Sequence, residues 1–227
     1  MFMNTQTSRT SFSAKDLCQI GIFTALIVVC SQLSIPMPAG VPMTLQTLII
    51  PIAGIVLGTK RGTIAACLYV LLGAVGLPVF AGFTGGLGIL FGMTGGFILS
   101  FPLMALFAGL GSRRNKKRPT MAGLVTGAVV NYLAGMLLFA VITGSDMKYA
   151  FTACVLPFIP TSVIKIILAA LLGLQLKKTL LRAGILTPEK AAASRPPLPE
   201  CKALSAFSDN KYPAPDPSES MKPDSTY

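Results

Sequence analysis

The sequence predicts an all-α integral membrane protein with six transmembrane helices and irregular outer loops that line a ligand cavity. Hydrophobic residues make up 52% of the 227 positions and charged residues only 12%, which is too apolar for an ordinary water-soluble domain. Apolar runs of membrane-spanning length recur along the chain, and the basic residues lie between them. The chain contains no His and no Trp, so histidine-based catalysis is excluded.

Six apolar runs are the predicted spans. A helix needs about 20 apolar residues to cross a hydrocarbon layer of roughly 30 Å, and residues 17–35, 86–110, 119–142 and 155–176 meet that length. Residues 45–58 and 63–76 reach only about 21 Å each. We interpret them as two short spans, because a hairpin tip in lipid would bury Lys60 and Arg61 at several kcal/mol. Residues 36–44 and 77–88 then become non-helical backbone that must line a cavity or be covered by protein.

The basic residues orient these spans. With a cytoplasmic N-terminus, twelve of the nineteen lie in inside segments, five lie in the C-terminal tail and Lys165 lies within a span. The outside loops hold Lys148 alone, which predicts cytoplasmic N- and C-termini by the positive-inside rule. The net charge of +11 is therefore assigned to loops near anionic membrane lipid, with no role in nucleic-acid binding.

The chain divides into three segments by composition. Residues 1–16 form a predicted cytoplasmic N-terminal segment, residues 17–182 the transmembrane substrate-binding domain, and residues 183–227 a Pro- and Ser-rich disordered cytoplasmic tail. Five scattered cysteines show no C-x-x-C spacing, and the spans contain no carboxylate cluster and no P-loop. We therefore expect no metal, no cofactor, no enzymatic activity and no energy-coupling site within this chain.

Lys165 is the only charged side chain inside a predicted span, which makes it a candidate functional residue. Pro157 and Pro160 interrupt the preceding helix, so a new helix is expected near Pro160 with Thr161 and Ser162 in its first turn. Free N–H groups, two hydroxyls and an ammonium would together bind a carboxylate. Two alternatives stay open: the lysine reaches the outer interface by snorkelling, or the prolines only cap a helix.

Several other residues have two interpretations each. The glycines at 88, 92 and 96 serve either close helix packing or ligand contact through exposed amides. Thr44 is either a helix N-cap or a ligand contact, together with Gln46. Gly21 and Ala25 form a small-xxx-small pair that marks a face where another helix could approach.

Four motifs, taken in order, resemble the BioY family, the substrate-binding S components of energy-coupling-factor (ECF) biotin transporters. They are residues 41–47 (VPMTLQT), 73–82 (GAVGLPVFAG), 92–97 (GMTGGF) and 157–160 (PFIP) followed by Lys165. The resemblance covers residues 15–182 and leaves the tail without a counterpart.

The resemblance implies a six-helix protein of the prokaryotic cytoplasmic (inner) membrane that captures biotin from the outer side. It also implies a partner module, composed of a transmembrane coupling protein and two cytoplasmic ATPases, that would dock on the face of Gly21 and Ala25. It places Thr44, Gln46, Phe80, Thr94, Gly95, Gly96, Phe97 and Lys165 near biotin, and the predicted anion site adds Ser162 to the ligand-binding residues. Phe80 and Phe97 are expected to form apolar walls. Thr44, Gln46 and Thr94 are expected to pair with the ureido group because of their polar type and expected depth.

Two departures from the family pattern affect the choice of ligand. Ser162 stands where family members usually have Asp, so Lys165 lacks that acidic partner and is expected to favour a free carboxylate. Met93 and Phe97 replace a family Pro and Tyr, which removes a phenolic hydroxyl. The alternatives are an S component for another small anionic vitamin and a stand-alone biotin facilitator. An intramembrane enzyme would need residues that the sequence does not contain.

Overall fold

The computed structural model describes residues 13–37, 40–114 and 116–186. Within them, seven α-helices and one two-stranded antiparallel ribbon account for the regular structure. The predicted tail after Leu186 and the first twelve residues lie outside the described part. The helices are α1 (Ala14–Gln32), α2 (Gln46–Ala74), α3 (Leu87–Leu90), α4 (Gly95–Ser112), α5 (Lys117–Thr143), α6 (Met147–Cys154) and α7 (Ile159–Arg182), and the ribbon pairs β1 (Ser34–Ile35) with β2 (Met43–Thr44).

Helix α2 is a helical hairpin that contains the second and third predicted spans. Its helical backbone breaks at Gly58, whose φ of 82° and ψ of 178° suit glycine best. The chain reverses there and brings Gly62 against Gly54: a β-carbon at Gly62 would lie 2.6 Å from the Cα atom of Gly54. At the open end of the hairpin, Gln46 Nε2 donates to the hydroxyl of Tyr69 at 2.5 Å.

The hairpin confirms the prediction of six membrane-crossing helices, with two short antiparallel members. These are α1, the two halves of α2, α4, α5 and α7. Five helical stretches of the described chain are long and apolar enough to cross a bilayer. In this count the hairpin is a single stretch, and residues 147–182 are another. We call the end of the bundle that holds Gly58 the tip end, and the end that holds β1, β2 and Gln46 the cavity end.

The fourth predicted span begins nine residues too early. The long helix starts at Gly95, and residues 86–94 form the short helix α3 and a turn at the cavity end. Gly86 has a φ of 97°, outside helical geometry, so the continuous helix cannot extend back through it. The sixth predicted span is also displaced, because α7 begins at Ile159 after α6 and a 3₁₀ turn over Leu156–Phe158.

Small residues allow the central helices to approach closely. Helix α4 packs most extensively against α2 and α5. A β-carbon at Gly111 of α4 would lie 3.0 Å from the Cα atom of Gly123 in α5, and one at Gly109 would lie 2.7 Å from the Cα atom of Thr59 in α2. Large apolar side chains on the far faces of α5 and α7 are exposed, as expected of helices in contact with lipid.

Polar contacts at the tip end attach α1 to the rest of the bundle. Arg61 Nη2 lies 3.2 Å from Asp16 Oδ1, and both side chains are largely buried. Gln19 Nε2 donates to the carbonyl oxygen of Ile185 at 2.6 Å, and Leu186 is buried in the core. Residues 183–186, which the sequence assigned to the tail, are therefore packed against α1.

Replacing Asp16→Asn is expected to lower the stability of the protein by about 2 kcal/mol, because it leaves the Arg61 guanidinium without its carboxylate at a site screened from water. Asparagine can still accept the hydrogen bond that the backbone N–H of Ser13 donates to Asp16. Thermal unfolding in detergent measures the effect. Lys60→Gln, an exposed cation beside Arg61, is the control, and an equal loss in both variants would contradict the prediction.

Candidate ligand-binding site

A cavity of about 250 Å³ opens among the helices at the cavity end. Its wall combines the ribbon segment, the loop after α2, and helices α4, α5 and α7. Six of the nine predicted ligand-binding residues line it: Thr44, Gln46, Phe80, Thr94, Phe97 and Lys165. The wall also contains Gly40, Val41, Pro42, Thr47, Ala81, Thr84, Ile89, Ile98, Phe101, Asn131, Tyr132, Cys154 and Phe158.

The loop after α2 places Phe80 in the wall. The backbone N–H of Phe80 donates to the carbonyl oxygen of Thr84 at 2.9 Å, and the ring packs edge-on against Tyr69 with centroids 5.6 Å apart. The carbonyl oxygen of Val79 accepts bonds from the hydroxyls of Ser31 at 2.5 Å and Tyr69 at 3.2 Å. Because these groups satisfy its backbone, irregular chain at this position is compatible with burial in a membrane protein.

Thr44 and Gln46 form a connected polar group on one side of the cavity. Thr44 Oγ1 donates to Gln46 Oε1 at 2.8 Å and accepts from the Gln46 backbone N–H at 3.3 Å. The N-cap of α2 is Leu45, so the N-cap interpretation of Thr44 is wrong; the Thr44 hydroxyl lies one residue before the cap and lines the cavity. Both side chains are buried, so their positions are determined before any ligand binds.

The Lys165 ammonium lies at the cavity wall between α7 and the start of α2. Its Nζ donates to the carbonyl oxygen of Thr44 at 2.7 Å and to Thr47 Oγ1 at 3.1 Å. An ammonium has three N–H donors, so one is left for a ligand. The residues that line the cavity include no Asp and no Glu. The local charge is thus positive, and a carboxylate would complement it.

Ser162 lies behind the cavity wall, in a small side pocket that it shares with Lys165 and Tyr132. Its hydroxyl donates to the carbonyl oxygen of Phe158 at 2.7 Å and also hydrogen-bonds the hydroxyl of Tyr132. Thr161 Oγ1 donates to the same carbonyl of Phe158 at 2.9 Å. The two hydroxyls of the predicted anion site therefore bond protein groups at the start of α7.

Gly95 and Gly96 pack against neighbouring backbone and do not line the cavity. A β-carbon at Gly96 would lie 2.9 Å from the Cα atom of Gly135 in α5, and closer still to the carbonyl oxygen of Ala134. A β-carbon at Gly95 would overlap the carbonyl group of Leu90. These contacts bring α4 against α5 and aim Phe97 into the wall.

Several wall residues are not among the predicted ligand-binding residues, including Thr47, Phe101, Asn131, Tyr132 and Phe158. Asn131 and Tyr132 are polar side chains in the middle of a largely apolar span, and this interruption is a sequence signal for a site. The phenylalanines carry no such signal, because membrane helices have apolar side chains at positions that face lipid, at positions in the core and at positions that face a cavity.

Gly21 and Ala25 are exposed on α1 and do not line the cavity. A β-carbon at Gly21 would meet nothing within 4 Å. Leu17, Ile22 and Val29 are exposed on the same helix. This face is therefore free to contact lipid or another helix.

The sequence model described as the BioY family matches residues 3–182, which is most of the chain. The chain belongs to the BioY family. Its similarity to a BioY protein from Thermotoga maritima, named "Biotin transporter BioY", is 41% identity over 165 residues, covering 72% of this chain and 96% of the relative. A BioY relative from Pyrococcus horikoshii, named "Probable biotin transporter BioY", is 38% identical over 164 residues, covering 72% of this chain and 97% of the relative.

A solved structure shares the fold of this BioY chain. Its title is "Crystal structure at 2.1 A of the S-component for biotin from an ECF-type ABC transporter", and the two chains superpose with a TM-score of 0.68 at 25% identity. The match covers 74% of this chain and 95% of the solved one. BioY relatives are named as transporters and not as enzymes, which agrees with the expectation that the chain catalyses nothing.

Proposed function

We propose that this chain is the high-affinity biotin-binding S component of an ECF-type vitamin transporter. The observation that carries the proposal is a cavity inside a membrane-helix bundle that contains one ammonium, apolar walls and no carboxylate. Its volume of about 250 Å³ lies just below the roughly 300 Å³ at which the usual range of small-molecule sites begins. A vitamin-sized acid with an apolar body matches that description.

Within this proposal the wall residues have separate roles. Lys165 binds the carboxylate through its remaining N–H group, since buried charge-assisted bonds are the strongest polar contacts available. Phe80 and Phe97 enclose the bicyclic ring and chain. Thr44, Gln46 and Thr94 contact the ureido group. Gly95, Gly96 and Ser162 support the site from behind the wall: the glycines hold α4 on α5, and Ser162 holds Tyr132.

The proposal also includes an orientation and a location. Lys15, Lys60 and Arg61 lie at the tip end, and a bundle in the prokaryotic cytoplasmic membrane places such cations on the cytoplasmic side. The tip end would then face the cytoplasm together with both termini, and the cavity would open toward the outside. Fusing a reporter enzyme to the C-terminus of the full chain and assaying its side of the membrane tests this orientation.

In this proposal a partner module supplies the energy for transport, since the sequence contains no P-loop. We place the transmembrane coupling protein on the exposed α1 face of Gly21 and Ala25, with two ATPases bound to it. A stand-alone facilitator is the alternative. Biotin entry into a host that lacks every ECF module separates the two, because a facilitator would let biotin equilibrate across the membrane there and an S component alone would not.

Purified protein in detergent is expected to bind radiolabelled biotin with sub-micromolar affinity, and unlabelled biotin is expected to displace it. Riboflavin, thiamine and lipoate serve as competitors. Displacement by unlabelled biotin alone supports the proposal. Ser162 in place of the family Asp favours one rival, an S component for another small anionic vitamin. A protein that shows no saturable binding of radiolabelled biotin but does bind radiolabelled lipoate would establish that rival and end the biotin assignment.

A further inference from the structure

Asn131 is a buried amide at the cavity wall whose role the proposed function leaves open. It lies in the middle of α5, faces α4, and is 1% exposed. A buried amide in a membrane helix costs free energy unless each of its polar atoms finds a partner. The partners of Asn131 therefore indicate what the side chain can offer to a ligand.

The neighbouring groups determine which way the amide points. Asn131 Nδ2 lies 2.9 Å from the carbonyl oxygen of Phe97 and 2.7 Å from Ser100 Oγ. The Phe97 carbonyl can only accept a hydrogen bond. The hydroxyl proton of Ser100 is donated to the same Phe97 carbonyl at 2.9 Å, so Ser100 Oγ can only accept from Asn131. Both neighbours require a donor, and the amide nitrogen must face α4.

This orientation uses both N–H groups of Asn131 and leaves its carbonyl oxygen Oδ1 unpaired. Oδ1 accepts no hydrogen bond from any residue that the structure describes, and the side chain lines the cavity. Lys165, Tyr132 and Thr47 share a small side pocket with Asn131, but their described hydrogen bonds go to other groups. Unless one of these side chains moves, a donor to Oδ1 has to come from a molecule in the cavity.

We propose that Asn131 is a specificity-determining residue whose carbonyl oxygen requires an N–H donor on the ligand. This inference rests on the proposed function, and in biotin the donor is one of the two ureido N–H groups. The requirement differs from that of Lys165, which selects a negative charge. An acid with an apolar ring but no N–H would satisfy Lys165 and still leave Asn131 Oδ1 buried and unpaired. Asn131 would thus reject such acids.

The test compares biotin with two lactam analogues, in each of which one ureido N–H is replaced by CH₂ with little change in shape. Purified wild-type protein in detergent is expected to bind one of the two at least about tenfold more weakly than biotin. The Asn131→Leu variant has a side chain of similar size without the acceptor. It is expected to bind biotin more weakly and to discriminate against that analogue by less than about threefold.

Ser100→Ala is the matched control, because it removes one α4 partner of the amide and leaves Oδ1 in place. It is expected to keep the full discrimination even where stability falls. Wild-type protein that binds both lactams as tightly as biotin would overturn the inference and leave the proposed function intact. Undiminished discrimination in Asn131→Leu would also overturn it. Failure of the wild type to bind biotin at all would overturn the proposed function and this assignment together.

Discussion

Lys165→Met is expected to weaken the binding of biotin by about 100-fold, or roughly 2.7 kcal/mol, without preventing folding or membrane insertion. Methionine keeps the length and apolar stem of the lysine but removes the ammonium. The cavity wall includes no other cation, so the ligand carboxylate would be left without an opposite charge. Truncating one partner of a buried, hydrogen-bonded charge pair costs about this much in other binding sites.

A second role of the ammonium must be separated from this one. Lys165 Nζ donates to the carbonyl oxygen of Thr44 and to Thr47 Oγ1, and so attaches α7 to the start of α2. Losing that attachment would impair the site for any ligand, charged or neutral. Biotin amide lacks the carboxylate, so its affinity is expected to fall by only about threefold in Lys165→Met.

Isothermal titration of the wild type and variant with both ligands measures the difference. Lys178→Met, on the same helix but exposed, is the control and should bind both ligands like the wild type. Equal losses for acid and amide would show that the ammonium only holds the Thr44 segment. The carboxylate would then have to bind elsewhere in the cavity.

The bundle was predictable from the sequence because a bilayer constrains a chain strongly. Spanning length and the placement of cations gave six helices, and the Lys60-Arg61 pair correctly indicated that residues 45–58 and 63–76 are two antiparallel spans. The same constraint predicted irregular backbone at one end, where the structure places the ribbon and the loop that carries Phe80. Charge is expensive in lipid, so Lys165 could be recognised as exceptional from its position alone.

The residues at which each helix begins and ends, and the direction in which each side chain points, are less predictable from the sequence. The fourth span was extended back through Gly86, because glycine is common in membrane helices and its positive φ is not visible in a sequence. Ser162 and Thr161 could have pointed toward a ligand or back to the preceding turn, and the structure shows the second. The role of Asn131 is not visible in the sequence, because its amide orientation depends on Phe97 and Ser100. Only the packing of α4 on α5 brings these two residues close to it.

Gly96→Ala is expected to lower the stability of the protein by about 3 kcal/mol, at the upper end of the cost of overpacking a core. The added β-carbon would lie 2.9 Å from the Cα atom of Gly135 and closer to the Ala134 carbonyl. Backbone atoms of a helix cannot move aside as a flexible side chain can, so α4 and α5 would have to separate. The gain in helix propensity from Gly to Ala, about 1 kcal/mol, is too small to compensate.

Separation of these helices also disturbs the site, because α4 carries Phe97 and Ser100 while α5 carries Asn131. Biotin affinity is therefore expected to fall by at least tenfold along with the thermal unfolding temperature in detergent. Gly88→Ala is the matched control, since a β-carbon there meets nothing within 4 Å, and it should change neither quantity. The two measurements also separate the two roles considered for the glycine stripe. A Gly96→Ala protein with unchanged stability but weakened biotin binding would mean that Gly96 serves the ligand directly and not the contact between α4 and α5.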